Sequence, residues 1–246
     1  SRRGQVLVRL PETSISQWMS PAAWAGLGHL IGQRVGSRIP VIEGLPRSAT
    51  TDQLKAFGAA AASSGAIALF HAVGITPEAP DVQTAFHGHQ PAETIDVSTG
   101  MLQEAWTGLS SAEAGETVES IILGCPHFSY DEFRNLVASI EEVSPRRVHE
   151  NVQFMVITHS AAFALAERGG LIEPLRRFGA SIVFDTCPFH SPIVTDRIQV
   201  LMTNSGKAAY YAPGELNVRV AFGSLDECVR SAICGHVQQE RDPWDS

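Results

Sequence analysis

The chain has 246 residues, 44% hydrophobic and 18% charged, a globular composition with room for one large α/β domain or two small ones. Its formal net charge of −8 argues against nucleic acid or an anionic membrane as a partner. It leaves open an anionic small molecule, because one local lysine can override the overall field.

Strand-like and helix-like runs alternate along the whole chain. Gln5–Leu10 reads as a strand. Ser20-Pro21 then opens a helix, with serine as N-cap and proline at the first helical position. Ile39–Glu43 reads as a second strand, and Thr50 or Thr51 caps a helix with Leu54, Phe57 and Gly58 on one face. Ile67–Val73 is a third strand. The uncharged run Ala56–Pro77 is interrupted by Ser63-Ser64-Gly65 and His71, so a helix followed by a strand explains it better than a membrane span. The polar, Pro/Gly/His-rich stretch Gly74–Gln90 is a candidate functional loop. Leu102–Ala112 reads as helical.

The second half repeats the theme. Ser120–Gly124 is a strand ending at Cys125. Ser129 and Glu132 form a capping box before the stripe Phe133, Leu136, Val137 and Ile140. Val152–Thr158 is a strand, and Ala161–Arg177 a helix interrupted near Gly169-Gly170. Ser181–Asp185, Gln199–Thr203 and Val218–Phe222 are strands, and Ser224 caps a last helix through Cys234. The tail after His236 reads as polar and frayed. The alternation predicts an α/β fold of doubly wound, mostly parallel sheets with helices on both faces. The small, polar stretch around Gly115 suggests a division into residues 1–115 and 116–246.

Sites in open α/β sheets gather where strands end at their carboxyl edge. Three unusual segments fall there: GCPHFS (Gly124–Ser129), DTCPFH (Asp185–His190) and MTNSGK (Met202–Lys207). Cys125 and Cys187 are each followed by proline, which places the thiol at a loop mouth; Cys-Pro also occurs in iron–sulfur ligand runs. The plainer alternative is two strand-end thiols packed against phenylalanine. Cys228 and Cys234, about 120° apart around a helix, read as structural. Two cysteines cannot complete a four-ligand centre, so unless His127 or His190 fills in, further ligands come from outside the chain. Thr203, Asn204 and Ser205 offer donors, Gly206 lets backbone approach a ligand, and Lys207 supplies a point charge suited to carboxylate or phosphate. The alternative there is a polar loop with a solvated lysine. His71 reads as a core residue and Glu78 as a surface carboxylate. The opening SRRGQVLVRL reads as an internal start, and with no secretory signal the expected compartment is cytoplasmic, where thiols stay reduced.

Taken together, Ser63–Ala79, Ile122–Phe133, Phe184–Pro188, Met202–Tyr211 and the closing Phe222–Gly235 resemble the C-terminal part of the large-subunit region of aconitase X. The residues before Ser63 resemble it less. The resemblance implies an aconitase-like fold and an iron–sulfur hydro-lyase. One branch of the family dehydrates cis-3-hydroxy-L-proline to Δ1-pyrroline-2-carboxylate, the favoured reading; the other dehydrates mevalonate 5-phosphate. It further implies a 2Fe–2S or 4Fe–4S cluster held by Cys125, Cys187 and a third cysteine outside this chain. Lys207 matches a substrate-binding lysine, and Ser205, Asn204 and Thr203 join it as substrate-binding candidates. The catalytic base is expected outside the chain. The implied partners are a small hydroxy-acid substrate, the remaining large-subunit region and a small swivelling domain. Two readings of other classes remain: a non-catalytic iron–sulfur or metal-binding module, and a thiol enzyme using Cys125 with His127.

Overall fold

A computed structural model describes residues 2–11, 20–194, 198–240 and 244. The chain forms two compact units, Ser1–Gly108 with Trp244, and Leu109–Glu240.

The first unit is built on a four-stranded sheet of order β3-β2-β1-β4: β1 (Val6–Arg9), β2 (Pro40–Glu43), β3 (His71–Ala72) and β4 (Glu93–Asp96). All its pairings are parallel. Helix α1 (Pro21–Val35) starts where Ser20 accepts from the Ala22 N–H, with Pro21 needing no partner. Helix α2 (Thr51–Gly65) starts at a capping box in which Thr50 and Gln53 satisfy each other's backbone N–H groups. The two helices cross at close range: a Cβ on Gly65 would meet the Gly32 carbonyl oxygen at 2.1 Å. That approach completes a core around Trp24, Leu27, Ile31 and Phe57, all fully buried. His71 is buried, with its Nε2 2.7 Å from the Arg2 carbonyl oxygen, and Glu78 is an exposed partner of Arg2. Both sit where the sequence suggested. The run Ala56–Pro77 resolves into the end of α2, an extended stretch and β3, and no helix among the described residues is long and apolar enough to cross a membrane. Only His71 and Ala72 of the predicted strand Ile67–Val73 pair. The Gly74–Gln90 stretch is a series of turns around the short helix α3 (Val82–Ala85), capped by Asp81. Helix α4 (Thr99–Thr107) starts earlier than expected because Ser98 caps it. Strand β4 and the short helix α3 are the elements of this unit that the sequence reading did not predict.

The second unit carries a five-stranded parallel sheet of order β7-β6-β5-β8-β9. Its strands are β5 (Ser120–Phe128), β6 (Gln153–Thr158), β7 (Ser181–Phe184), β8 (Val200–Thr203) and β9 (Arg219–Phe222). The chain winds outward from β5 through β6 to β7, then returns to the other side of β5 for β8 and β9. This doubly wound order puts the topological switch between β5 and β8, the place where α/β sheets leave a crevice at their carboxyl ends. Helices α5 (Tyr130–Glu141), α6 (Ser160–Arg168), α7 (Ile172–Phe178), α8 (Gly206–Leu216) and α9 (Leu225–Cys234) complete the unit. Capping boxes at Ser129/Glu132 and Ser224/Glu227 set the starts of α5 and α9. Phe133, Leu136 and Ile140 of α5 are buried in a core with Ile121, Phe154 and Phe178. The edge-to-face pairs Phe128–Phe133 and Phe154–Phe178 lock its packing.

Three expectations need correction here. Strand β5 does not stop at Cys125: it resumes its pairing at Phe128 with Thr158, after a register shift between Leu123 and Phe128. The MTNSGK segment is not a free polar loop, because Gly206 and Lys207 already belong to α8. The tail after His236 is tied down as far as Glu240: Val237 donates to the Glu116 carbonyl, Gln238 to Ser231 Oγ and Glu240 to Glu227. Beyond it, residues 241–243 and 245–246 lie outside the described residues.

Candidate functional site

The three segments picked from the sequence meet at the carboxyl edge of the second sheet. A cleft of about 370 Å³ opens there, lined by Gly124, Cys125, Pro126, His127, Ile157, Asp185, Thr186, Cys187, Pro188 and Lys207. It lies beside the β5–β8 switch point, the position that topology alone favours.

Each functional side chain is placed by a local device. Where β5 shifts register after Leu123, the chain must swing Cys125 toward the crevice while passing β6. Gly124 makes this possible: its φ is +89°, and a Cβ there would meet the Ile157 carbonyl oxygen at 2.0 Å. Cys187 follows β7, where Asp185 turns the chain at φ +57° and Pro188 starts a single 3₁₀ turn, Pro188–His190. Lys207 is the second residue of α8, so its ammonium joins the positive end of the helix dipole.

Cys125 is buried and Cys187 exposed, and neither is in a disulfide. Burial pushes the Cys125 thiol up to about 11; the Lys207 charge and a Ser205 hydrogen bond pull the other way, and the Cys187 charge adds to the rise. Cys125 alone is therefore a protonated thiol at neutral pH, which removes the motive force from the thiol-enzyme reading. His127 Nε2 lies 3.3 Å from the Thr186 carbonyl oxygen.

The other predicted residues divide. Thr203 is fully buried and donates its hydroxyl to the Ile122 carbonyl at 2.7 Å. Ser205 caps α8 by accepting from the Ala208 N–H and contacts the Cys125 carbonyl oxygen. Their hydroxyls hold backbone together, and neither they nor Asn204 line the cleft. His190 also stands away from its lining, 3.9 Å from Glu215. Cys228 is fully buried, as a structural thiol should be, whereas Cys234 is exposed.

Asp185 is the cleft residue that sequence reading passed over. Its carboxylate accepts from the Ser160 N–H, and that bond, with His127 and His159 nearby, holds its pKa below the usual carboxylate value. The available signal was its position at a strand end, two residues before a site cysteine.

The donor set fits part of an iron–sulfur centre. Two soft sulfur donors line one cleft, and binding of iron there would displace their protons. Among the described residues no group of three or more His, Cys, Asp or Glu could hold a metal ion. The described residues of this cleft thus offer two sulfur donors, and a cluster held here would need a further ligand besides them.

Comparison with known proteins identifies the family. The profile of the aconitase X second domain matches residues 4–107, and that of the third domain matches residues 118–234. The chain belongs to the aconitase X family. A cis-3-hydroxy-L-proline dehydratase of Pseudomonas aeruginosa is 38% identical over 99% of this chain and 41% of its own length. One from Hypocrea jecorina is 41% identical over 85% of this chain and 35% of its own. A phosphomevalonate dehydratase large subunit from Methanosarcina mazei is 32% identical over 97% and 55%. The holo-form crystal structure of Thermococcus kodakaraensis aconitase X superposes with a TM-score of 0.79 at 27% identity, over 94% of this chain and 55% of that one. This chain thus spans about half or less of the length of the aconitase X relatives it matches, and its fold is that of the family: parallel sheets with helices around them.

Proposed function

We propose that this chain contributes one wall of the active site of an iron–sulfur hydro-lyase that converts cis-3-hydroxy-L-proline to Δ1-pyrroline-2-carboxylate. The observation that carries the reading is the convergence of Cys125, Cys187 and Lys207 on one cleft at the switch point of the second sheet. A bare metal-binding module would need the two sulfurs but would leave the lysine without a task. The substrate choice rests on the higher identity to the two hydroxyproline dehydratases than to the phosphomevalonate enzyme.

Cys125 and Cys187 would hold the cluster, 2Fe–2S or 4Fe–4S, with a third cysteine from the remaining large-subunit region. When bound, the cluster supplies a Lewis-acid iron that favours departure of hydroxide. Lys207 pairs with the substrate carboxylate, and its charge, backed by the α8 dipole, stabilises the electron density that builds beside the carboxylate as the α-proton leaves. Asn204 and Ser205 shape the turn that presents Lys207. The α-proton goes to a base outside this chain, the C3–O bond breaks to release hydroxide, which takes up one proton to become water, and the resulting enamine tautomerises to the cyclic imine. A small swivelling domain closes the site. The free thiols suit a cytoplasmic, reducing location.

The test is a side-by-side assay of the full enzyme with cis-3-hydroxy-L-proline and mevalonate 5-phosphate. Turnover of the first alone is the expected result; turnover of the second alone would replace the substrate assignment. In the same assay, Lys207→Ala is expected to lower kcat/KM by about 100-fold, most of it through KM, since it removes a charge-assisted contact to the carboxylate. Unchanged kcat and KM in that variant would remove Lys207 from the site.

A further inference from the structure

Among the described residues, four other than glycine have positive φ: Ala66, His87, Asp185 and Asn217. Ala66 and Asn217 are helix C-caps, and His87 lies in the turn just after α3, places where left-handed backbone is common. Asp185 is different. It follows a β-strand and lines the cleft, two residues before Cys187. Glycine would adopt its φ of +57° without cost, so the aspartate side chain must return something.

What it returns is an anchor. The Asp185 N–H donates to the Thr158 carbonyl at 3.0 Å, extending the β6–β7 pairing by one residue. Its Oδ1 accepts the Ser160 N–H at 3.0 Å, satisfying a donor at the first turn of α6 that the helix itself cannot satisfy. Just beyond, the Thr186 carbonyl lies 3.3 Å from His127 Nε2, and the Cys187 carbonyl accepts from Ser191 Oγ at 2.7 Å. The Cys187 loop is thereby tied to β6, to the start of α6 and to the segment that carries Cys125.

We infer that Asp185 is a positioning residue: its left-handed backbone and its carboxylate bond to Ser160 together hold Cys187 at a fixed place opposite Cys125, so that the two sulfurs act as a preorganised pair. The inference rests on the reading of both thiols as ligands of one centre, and its consequence is an effective-concentration effect. A loop freed from its anchor still carries the thiol but presents it to the shared ligand less often.

The test uses cadmium ion as the probe, read by the ultraviolet cadmium–thiolate band, on this chain in a Cys234→Ser background that removes the other exposed thiol. Asp185→Asn keeps an acceptor and tolerates left-handed backbone, so its affinity should stay within about twofold of the parent. Asp185→Ala loses both contributions and should bind about tenfold more weakly. Asp185→Gly keeps the backbone but not the acceptor and should fall between. Alkylation of the fully buried Cys228 reports any general unfolding in the same samples. Equal affinity in the parent and Asp185→Ala, or in Asp185→Gly and Asp185→Asn, would overturn the inference, the second comparison serving even if the alanine variant fails to fold. A parent band that does not depend on both Cys125 and Cys187 would instead sink the shared-site reading beneath it.

Discussion

Gly124→Ala is expected to destabilise the second unit by about 3 kcal/mol or more and to abolish iron retention. Two costs add. The residue has φ +89°, and the new Cβ would sit 2.0 Å from the Ile157 carbonyl oxygen and 2.9 Å from its carbon. That neighbour is backbone of β6 in the middle of the sheet, so it cannot rotate away as a side chain could. The chain would have to lift off β6 at the very residue that leads into Cys125. Gly115→Ala separates the two costs: its φ is +87°, nearly the same, but nothing lies within 4 Å of its Cβ position. That variant should lose only about 1 kcal/mol. Urea unfolding of both variants checks the comparison. Equal losses would mean that the close approach to Ile157 does not constrain the turn.

The second large effect is expected at the cysteines themselves. Serine preserves the shape of each side chain but replaces a soft thiolate with a hard, weakly acidic hydroxyl, a poor ligand for an iron–sulfur centre. Two cysteines line the cleft, so loss of either leaves one sulfur there. Turnover in Cys125→Ser and Cys187→Ser is therefore expected below about 1% of the parent. The same changes at Cys228 and Cys234 should leave bound iron unaltered. Cys228→Ser would act through stability alone, because that thiol is wholly buried away from the cleft.

Much of the architecture was legible because short-range signals agreed with it. The capping boxes at Thr50/Gln53, Ser129/Glu132 and Ser224/Glu227 fix helix starts, and all three form. The apolar runs of β1, β5, β6 and β8 announce fully buried parallel strands. Strand β4 was hidden because it is an edge strand of sequence ETID, mostly exposed, with charged ends paired to Arg38 and Arg9. Those charges guard the edge against pairing and erase the apolar pattern by which a strand is found. Helix α8 was hidden by Pro213 in its interior and by a start so rich in turn residues that TNSGK reads as a loop.

The site divides in the same way. Cys125, Cys187 and Lys207 line one cleft at the sheet edge that the sequence pointed to, although β5 runs on past Cys125 to Phe128. Thr203 was chosen by donor type, which says nothing of direction, and its hydroxyl turns inward to the Ile122 carbonyl. Asp185 opens the segment DTCPFH at a strand end, but a sequence without glycine at that place announces neither its left-handed backbone nor its bond to Ser160.

The central claim is that Cys125 and Cys187 hold one iron–sulfur centre whose chemistry is dehydration. The most direct measurement is iron and acid-labile sulfide content, with turnover of cis-3-hydroxy-L-proline, on the anaerobically prepared full enzyme and on its Cys125→Ser and Cys187→Ser variants. The account predicts iron, sulfide and turnover in the parent and the loss of all three in both variants. Normal iron content and full activity in either variant would contradict it and return that cysteine to the role of an ordinary thiol at the end of a strand.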